Sequence, residues 1–166
     1  MATISLHGDP IHTQGDLPAT GTSLSDIVLT GSNLADFRIA DHAGKRIILN
    51  IFPSIDTGVC AISVRKFNED AAKLDNTVVI CVSEDLPFAH TRFCGAEGIE
   101  NLVMASDFRH HAFASNVPVT MTDGPLAGLH SRAIIALDTE GKVIYTEQVP
   151  EIAQEPNYEA VAAALS

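Results

Sequence analysis

One cysteine of this chain stands where a fold would make a thiol reactive. Cys60 closes the stretch FPSIDTGVC, in which an apolar run ends at Phe52 and Pro53 and a helical pattern begins. Free backbone N–H groups and the positive end of the helix dipole favour a thiolate over a thiol at such a position. The sequence therefore predicts a nucleophilic sulfur at residue 60, just beyond the end of a strand, where α/β sheets usually place their sites.

The other two cysteines differ from Cys60 in their surroundings. Cys81 lies within the run VVICV, which is typical of a buried strand, and we predict that it is structural and inert. Cys94 lies in a second helical pattern over residues 87–97. An odd number of cysteines without a secretory signal indicates reactive or buried thiols rather than a disulfide scaffold.

The seven histidines do not show the spacing of a metal site. His90 and Cys94 are four residues apart and would share one helix face. Zinc needs three or four ligands, however, and no second closely spaced pair completes the set. His110 and His111 are adjacent and would point in different directions on a helix. We therefore predict neither a metal site nor another cofactor.

The elements around the reactive cysteine follow from hydrophobic periodicity. Residues 46–52, RIILNIF, form a near-continuous apolar run, as a fully buried central strand requires. Over residues 60–74 apolar side chains recur every three or four positions with charged side chains opposite, which predicts a helix. Residues 77–82 predict a second buried strand, and Pro87 suits the first turn of a helix over residues 87–97.

The remaining segments complete an α/β pattern. They are predicted to form an N-terminal hairpin over residues 3–13, a surface segment over 14–33, strands over 36–40 and 101–105, a short helix over 109–115, a hairpin of strands 131–137 and 142–147, and a closing helix over 155–165. Strands that alternate with helices before a terminal hairpin and helix predict an α/β fold. We expect a thioredoxin-like three-layer sandwich with a mixed central sheet and an N-terminal β-hairpin.

The composition restricts the classes of function. A length of 166 residues with 46% hydrophobic and 19% charged residues suits one globular domain over residues 1–166. The formal net charge of −11 disfavours nucleic acid as a partner, because no Lys/Arg patch is present to neutralise phosphates. Neither a membrane-spanning apolar run nor a signal-peptide pattern is found, so we expect a cytoplasmic protein without a membrane partner.

The residues before Cys60 form a recognisable motif. Pro53-x-x-x-Thr57-x-x-Cys60 resembles the active-site motif of the peroxiredoxins. The longer string FPSIDTGVCAISVRKFN is similar to the thiol peroxidase branch of that family, the atypical two-cysteine peroxiredoxins. Three further segments resemble the same branch in the same order: RFCGAEG at 92–98, DGPL at 123–126 and SRA at 131–133. The resemblance covers nearly the whole chain.

The resemblance implies a role for each matching residue. Cys60 would be the peroxidatic cysteine that attacks a hydroperoxide, and Cys94 the resolving cysteine that closes an intramolecular disulfide with it. Pro53 would shield the reacting sulfur, Thr57 would hydrogen-bond the thiolate and the peroxide, and Arg132 would place a fixed cation beside Cys60. The family further implies hydrogen peroxide and organic hydroperoxides as substrates, thioredoxin as the reductant, and a homodimer.

Three other functions stay open from the residues alone. A thioredoxin-type dithiol oxidoreductase needs C-x-x-C at a helix start, but Thr57 and Ser63 stand three residues to either side of Cys60. A cysteine hydrolase would pair Cys60 with one of the histidines, whose positions in space the sequence does not give. A thioredoxin-fold binding protein would need no reactive cysteine at all.

Overall fold

The computed structural model describes residues 1–166 and contains nine strands and four α-helices. The strands are β1 (Thr3–Leu6), β2 (Asp9–His12), β3 (Val28–Gly31), β4 (Asp36–Arg38), β5 (Arg46–Ile51), β6 (Thr77–Ser83), β7 (Val103–Ser106), β8 (Ala133–Leu137) and β9 (Val143–Gln148). The helices are α1 (Gly58–Ala71), α2 (Pro87–Glu97), α3 (Ala112–Asn116) and α4 (Tyr158–Ala164), with a 3-10 helix at Ile39–His42. None of these helices has the length and apolar character to cross a membrane.

Seven of the strands form one mixed sheet in the order β4-β3-β7-β6-β5-β8-β9. Strand β6 runs parallel to both β5 and β7, and the other neighbouring strands pair antiparallel. Strands β1 and β2 form a separate antiparallel hairpin. The predicted α/β sandwich with a mixed sheet and an N-terminal hairpin is confirmed.

The sheet is covered on both faces because its central strands are apolar on both sides. In β5, Ile47 and Leu49 belong to one buried cluster, whereas Ile48 belongs to the other, as the two-residue period of a strand requires. The second cluster also receives apolar residues of α1, α2 and α4. Cys60 lies in this second cluster, between the sheet and the helices.

The prediction of a surface segment over residues 14–33 is wrong at its C-terminal end. Val28–Gly31 forms β3 between β4 and β7, and Leu24 and Ile27 before it are buried. The segment is rich in glycine, serine and threonine, which concealed a short strand. Thr30 is buried there, and its hydroxyl donates a hydrogen bond to Asp36.

Side-chain caps account for smaller shifts of the predicted boundaries. Strand β4 ends at Arg38, and the Asp41 carboxylate accepts the N–H of Arg38 as the 3-10 helix begins. Helix α3 starts at Ala112 rather than Arg109, since Asp107 accepts the first free amides of that helix. Helix α4 starts at Tyr158, because the Asn157 side chain accepts the N–H of Ala160.

Candidate active site

Cys60 is placed by a strand, a proline and a helix start. The amide of Phe52 still pairs with Val82, but Pro53 has no N–H and ends the pairing of the strand. The chain then turns, and α1 begins after Thr57, which makes Cys60 the third residue of the helix. The amides of Gly58, Val59 and Cys60 have no acceptor in the protein, so the first turn keeps three free donors.

Arg132 is the charged group that lies against Cys60. It directly precedes β8 and is 1% exposed, and its Nη2 lies 3.2 Å from Cys60 Sγ. Its Nε donates to the carbonyl of Ile152 at 2.8 Å, while its buried Nη1 has no partner. A buried cation without a counter-charge is costly, and Cys60 is the only ionisable side chain that Arg132 contacts by hydrogen bonding. Arg132 is therefore placed to pair with a negative charge on the Cys60 sulfur.

Thr57 and Pro53 line the cleft next to the turn that carries Cys60, and the Thr57 hydroxyl makes no hydrogen bond to the sulfur. The Thr57 hydroxyl donates to the carbonyl of Ser54 at 3.0 Å. Its oxygen remains able to accept a hydrogen bond from a bound molecule. Pro53 is buried at the base of the loop. The roles that the motif implies for these two residues stay predictions.

A cleft of about 330 Å³ opens next to these residues. Cys60 itself is fully buried, yet Arg132 and Thr57 both reach the cleft wall. The cleft therefore gives a small molecule access to the groups that surround the sulfur. Its walls are formed by Leu6, His7, Pro53, Thr57, Gly58, Val59, Leu126, Arg132, Ile152 and Ala153.

The N-terminal hairpin supplies one wall of the cleft through Leu6 and His7. Glu151 holds the turn of this hairpin: its carboxylate accepts from the Ser5 hydroxyl at 2.6 Å and from the His7 amide at 2.8 Å. These hydrogen bonds lower the pKa of Glu151 to about 2. The sequence predicted the hairpin but gave no indication that it lines the site.

Asp85 anchors the loop that leads to Cys60. Its carboxylate accepts from the Ser54 hydroxyl at 2.7 Å, the Ile55 amide at 2.8 Å and the Ser83 hydroxyl at 2.6 Å. Burial opposes ionisation of Asp85, but the hydrogen bonds from His90, Ser83, Ile55 and Ser54 outweigh it and lower its pKa to about 2. The sequence could have indicated this contact, because Asp85 follows β6 and β6 runs parallel to β5. Parallel strands end at the same edge of a sheet, so residues that follow them lie close together.

Cys94 lies on α2, apart from Cys60 on α1, and both are free thiols. Cys94 is half-buried against the same apolar cluster that contains Cys60. Burial raises the pKa of the Cys94 thiol. Unlike Cys60, it has no hydrogen bond to a cation. The structure thus holds one thiol against a guanidinium and the other in protonated form.

Two ion pairs tie the two cysteine segments together. Arg65 on α1 makes a two-pronged pair with Glu97 on α2, at 3.0 and 2.9 Å. Arg92 on α2 pairs with Asp56 in the loop before α1. All four side chains are partly exposed, so each pair contributes little to stability in water. Solvent can therefore replace these two polar contacts between the segments.

Cys81 is buried in β6, as the sequence predicts. Burial raises its pKa to about 12, and the hydrogen bond from the neutral Asn50 amide only partly opposes this. No histidine forms a hydrogen bond with Cys60, so the pairing that a cysteine hydrolase needs is absent.

The chain is similar to known proteins over nearly its whole length. The sequence pattern of the protein family described as Redoxin matches residues 19–162. A thiol peroxidase from Mycobacterium tuberculosis is 55% identical over 165 residues, which is 99% of each chain, and one from Mycobacterium bovis matches equally well. The chain belongs to the redoxin family. The full-length match to thiol peroxidases makes this redoxin a peroxidase enzyme, and the predicted enzyme class is confirmed.

Solved structures agree with the redoxin assignment. A peroxiredoxin-like protein from Aquifex aeolicus is 36% identical with a TM-score of 0.89, over 98% of this chain and 95% of the other. A thiol peroxidase from Chromobacterium violaceum, at 21% identity, has a TM-score of 0.90 over 98% of this chain and 94% of its own, which shows the same fold. The predicted thioredoxin-like peroxiredoxin fold is thereby confirmed.

Proposed function

We propose that this redoxin reduces hydrogen peroxide and organic hydroperoxides by a two-cysteine mechanism and is recycled by thioredoxin. The observation that supports this most strongly is the buried guanidinium of Arg132 at 3.2 Å from Cys60 Sγ, beside an open cleft. We further propose that residues 1–166 act as a single domain in a cytoplasmic homodimer.

In the first step the Cys60 thiolate attacks the peroxide oxygen that bears the hydrogen. The S–O bond forms as the O–O bond breaks, so sulfur loses two electrons and the peroxide gains them. Cys60 becomes a sulfenic acid, the first stage of thiol oxidation. The departing oxygen takes a proton from water and leaves as an alcohol or as water.

Donors already in place stabilise the charge on the departing oxygen. Arg132 Nη1 is buried and unpartnered, and the amides of Gly58 and Val59 are free at the cleft wall. Fixed donors of this kind act without reorganisation, and removal of one typically costs about 10²–10³-fold in rate. The Thr57 hydroxyl oxygen accepts a hydrogen bond from the peroxide, because its own hydrogen is donated to the carbonyl of Ser54.

The cleft walls favour hydroperoxides that carry an organic group. Leu6, Leu126 and Ile152 line the same cleft as Arg132 and the start of α1. An apolar substituent would therefore remain in the cleft while the peroxide group meets Arg132. Hydrogen peroxide lacks this contact, so we expect it to bind more weakly.

In the second step the Cys94 thiol attacks the Cys60 sulfenic acid. The S–S bond forms, the S–O bond breaks, and the hydroxyl leaves as water with the thiol proton. A disulfide needs Cα atoms within about 7 Å, and each cysteine sits inside a regular helix. We expect the first turn of α1 and the Cys94 segment of α2 to unwind in part as the disulfide forms, which the solvent-exposed ion pairs between them allow.

In the third step a dithiol protein restores both thiols. One thiolate of thioredoxin attacks the Cys60–Cys94 disulfide, and its second thiol resolves the mixed disulfide. Thioredoxin leaves as its own disulfide, so the two electrons that the peroxide gained come from thioredoxin. The partly unwound α2 would present the Cys94 sulfur to this partner.

A coupled assay with thioredoxin, its reductase and NADPH tests the proposal. We expect Cys60→Ser to be inactive, because it removes the nucleophile. Cys94→Ser should react once with peroxide but lose turnover with thioredoxin. Cys81→Ser is the matched control, since it removes a buried thiol that takes no part, and it should turn over like the parent.

Two results would contradict the proposal. Turnover of Cys94→Ser with thioredoxin at the parent rate would exclude the Cys60–Cys94 disulfide as an intermediate. Peroxide consumption by Cys60→Ser would place the reaction at another residue. Mass spectrometry of the peroxide-treated parent should show the Cys60–Cys94 crosslink and none to Cys81.

A further inference from the structure

Four ionisable side chains from four segments meet at the end of β6 and β7, outside the Cys60 site. Glu84 follows β6, Asp107 follows β7, His111 precedes α3 and His130 lies before β8. One ligand atom from each of Glu84, Asp107 and His111 lies within 4.8 Å of the others. The Glu84 carboxylate also lies 3.0 Å from His130 Nε2 and 3.4 Å from His111 Nδ1.

The buried ring of His130 faces the two carboxylates of the cluster. Its side chain is fully buried and its Nε2 faces two carboxylates, that of Glu84 at 3.0 Å and that of Asp107 at 3.5 Å. Neither ring nitrogen makes a hydrogen bond, so the approach to these oxygens is misaligned for one. Phe113 packs edge-on against the ring at 5.6 Å between centroids, which fixes its orientation.

The cluster holds two carboxylates, and the only basic side chains near them are the imidazoles of His111 and His130. Glu84 and Asp107 are shielded from solvent, and no lysine or arginine pairs with either of them. Two neighbouring carboxylates out of water are unfavourable unless a cation compensates them. A divalent ion would compensate both charges at once.

We propose that Glu84, Asp107, His111 and His130 bind a divalent transition-metal ion such as Zn²⁺. Two imidazoles and two carboxylates form a ligand set that such ions accept. Ligand atoms at 2.0–2.2 Å from a tetrahedral zinc lie roughly 3.3–3.6 Å apart. The separations of 3.0, 3.4 and 3.5 Å, each from a histidine nitrogen to a carboxylate oxygen, are close to this range.

The surroundings hold one of the ligands, Asp107, in place. Asp107 accepts hydrogen bonds from the amides of Phe113 and Ala114 at 2.9 and 3.0 Å, which orients its carboxylate. Outer contacts of this kind fix the ligands of metal sites and support their affinity. His111 is the exposed member and leaves an entry path from solvent. The ion would join the ends of β6 and β7 to the segment that leads into β8.

Calorimetric titration of the reduced full-length protein with Zn²⁺ tests the site. We expect one ion per chain. His111→Ala should weaken binding by at least about 100-fold, beyond the 10–100-fold that loss of an outer contact costs. His110→Ala is the matched control: this adjacent, partly exposed histidine pairs with Asp36 instead, and its loss should leave affinity unchanged. Glu84→Gln should weaken binding without changing the shape of the side chain.

Cobalt absorption separates this site from binding at the thiols. We expect visible bands of Co²⁺ with nitrogen and oxygen ligands that are retained in Cys60→Ser and lost in His111→Ala. Thiolate charge-transfer bands that disappear in Cys60→Ser or Cys94→Ser would place the ion on a cysteine and overturn the proposal. It would equally be overturned if the parent did not bind Zn²⁺, or if His111→Ala and Glu84→Gln bound it as tightly as the parent.

Discussion

Cys60 and Cys81 are equally buried in the same apolar cluster, yet only Cys60 lies against a charged side chain. Arg132 Nη2 lies 3.2 Å from the sulfur of Cys60. Cys81 has only the neutral Asn50 amide at 3.7 Å, and burial raises its pKa to about 12. Burial alone therefore does not decide whether a thiol is inert. The charge that the fold places against the sulfur decides it.

Access is the second difference between the two cysteines. Cys81 lies within β6, between β5 and β7, where no cleft reaches it. Cys60 lies in the first turn of α1, and Arg132 and Thr57 connect its surroundings to the cleft. Four variants separate these differences: they remove the charge beside Cys60, the anchor of its loop, the support of the cleft wall and the inert thiol of Cys81.

The largest effect is expected from Arg132→Met, which removes the charge that distinguishes Cys60 from Cys81. Methionine keeps much of the side-chain volume, so the loss is mainly electrostatic. We expect kcat/KM for peroxide to fall by about 10²–10³-fold, the usual cost of one lost donor. Stopped-flow peroxide consumption measures it. Arg109→Met, at an exposed arginine paired with Asp36, is the control and should keep parent activity.

Asp85→Asn should loosen the Cys60 loop while Cys81 stays buried. At pH 7 the variant should unfold more easily by on the order of 1 kcal/mol, because the donors of Ser54, Ser83 and Ile55 lose a charged acceptor. The pKa of Asp85 falls from its ordinary 3.8 to about 2 in the fold, so this stabilisation is complete above about pH 4 and is lost as the pH falls towards 2.

Urea unfolding at stepwise lower pH follows the stability difference between parent and Asp85→Asn. Asp26→Asn serves as the control, since that exposed carboxylate accepts no hydrogen bond. A parent-to-variant difference that stayed constant down to pH 2 would show that the Asp85 charge does not stabilise the loop.

A smaller effect is expected from Glu151→Gln, which weakens the cleft wall that Cys81 lacks. The neutral amide holds the Ser5 hydroxyl and His7 amide less firmly. We expect a few-fold rise in KM for a bulky organic hydroperoxide and little change with hydrogen peroxide. Glu159→Gln, at an exposed helix position, should change neither KM. Equal effects on both substrates would argue against the hairpin as a substrate-contacting wall.

The smallest effect is expected at Cys81 itself. Cys81→Ser should keep parent peroxidase activity, and iodoacetamide should leave Cys81 unmodified in the folded chain. Peptide mass spectrometry after timed alkylation measures this. If Cys81 were alkylated as fast as Cys60, the charge beside Cys60 would not account for a difference in thiol reactivity.

Much of the fold is predictable because local signals agree with the final structure. Pro87 in the first turn and Gly98 in the left-handed conformation bound α2, which has the predicted ends. The apolar runs of β5 and β6 and the turn before β9 are equally direct signals in the sequence. Strand β3 escaped prediction because its pairing with β4 and β7 stabilises a short, partly polar segment.

The candidate site was likewise predictable only in part. Cys60 follows from its place at a helix start, but the contact of Arg132 needs β8 to pair beside β5, which only the folded sheet provides. Glu84, Asp107, His111 and His130 belong to four segments with no shared motif. The prediction of no metal site rested on short spacings, which do not show which distant side chains packing brings together.

The thiolate absorbance of the reduced protein at neutral pH tests most directly whether Arg132 keeps Cys60 ionised. We expect the thiolate absorbance of the parent to exceed that of Cys60→Ser by one thiolate per chain, and this difference to disappear in Arg132→Met. Equal thiolate absorbance of the parent and Cys60→Ser at neutral pH would contradict it.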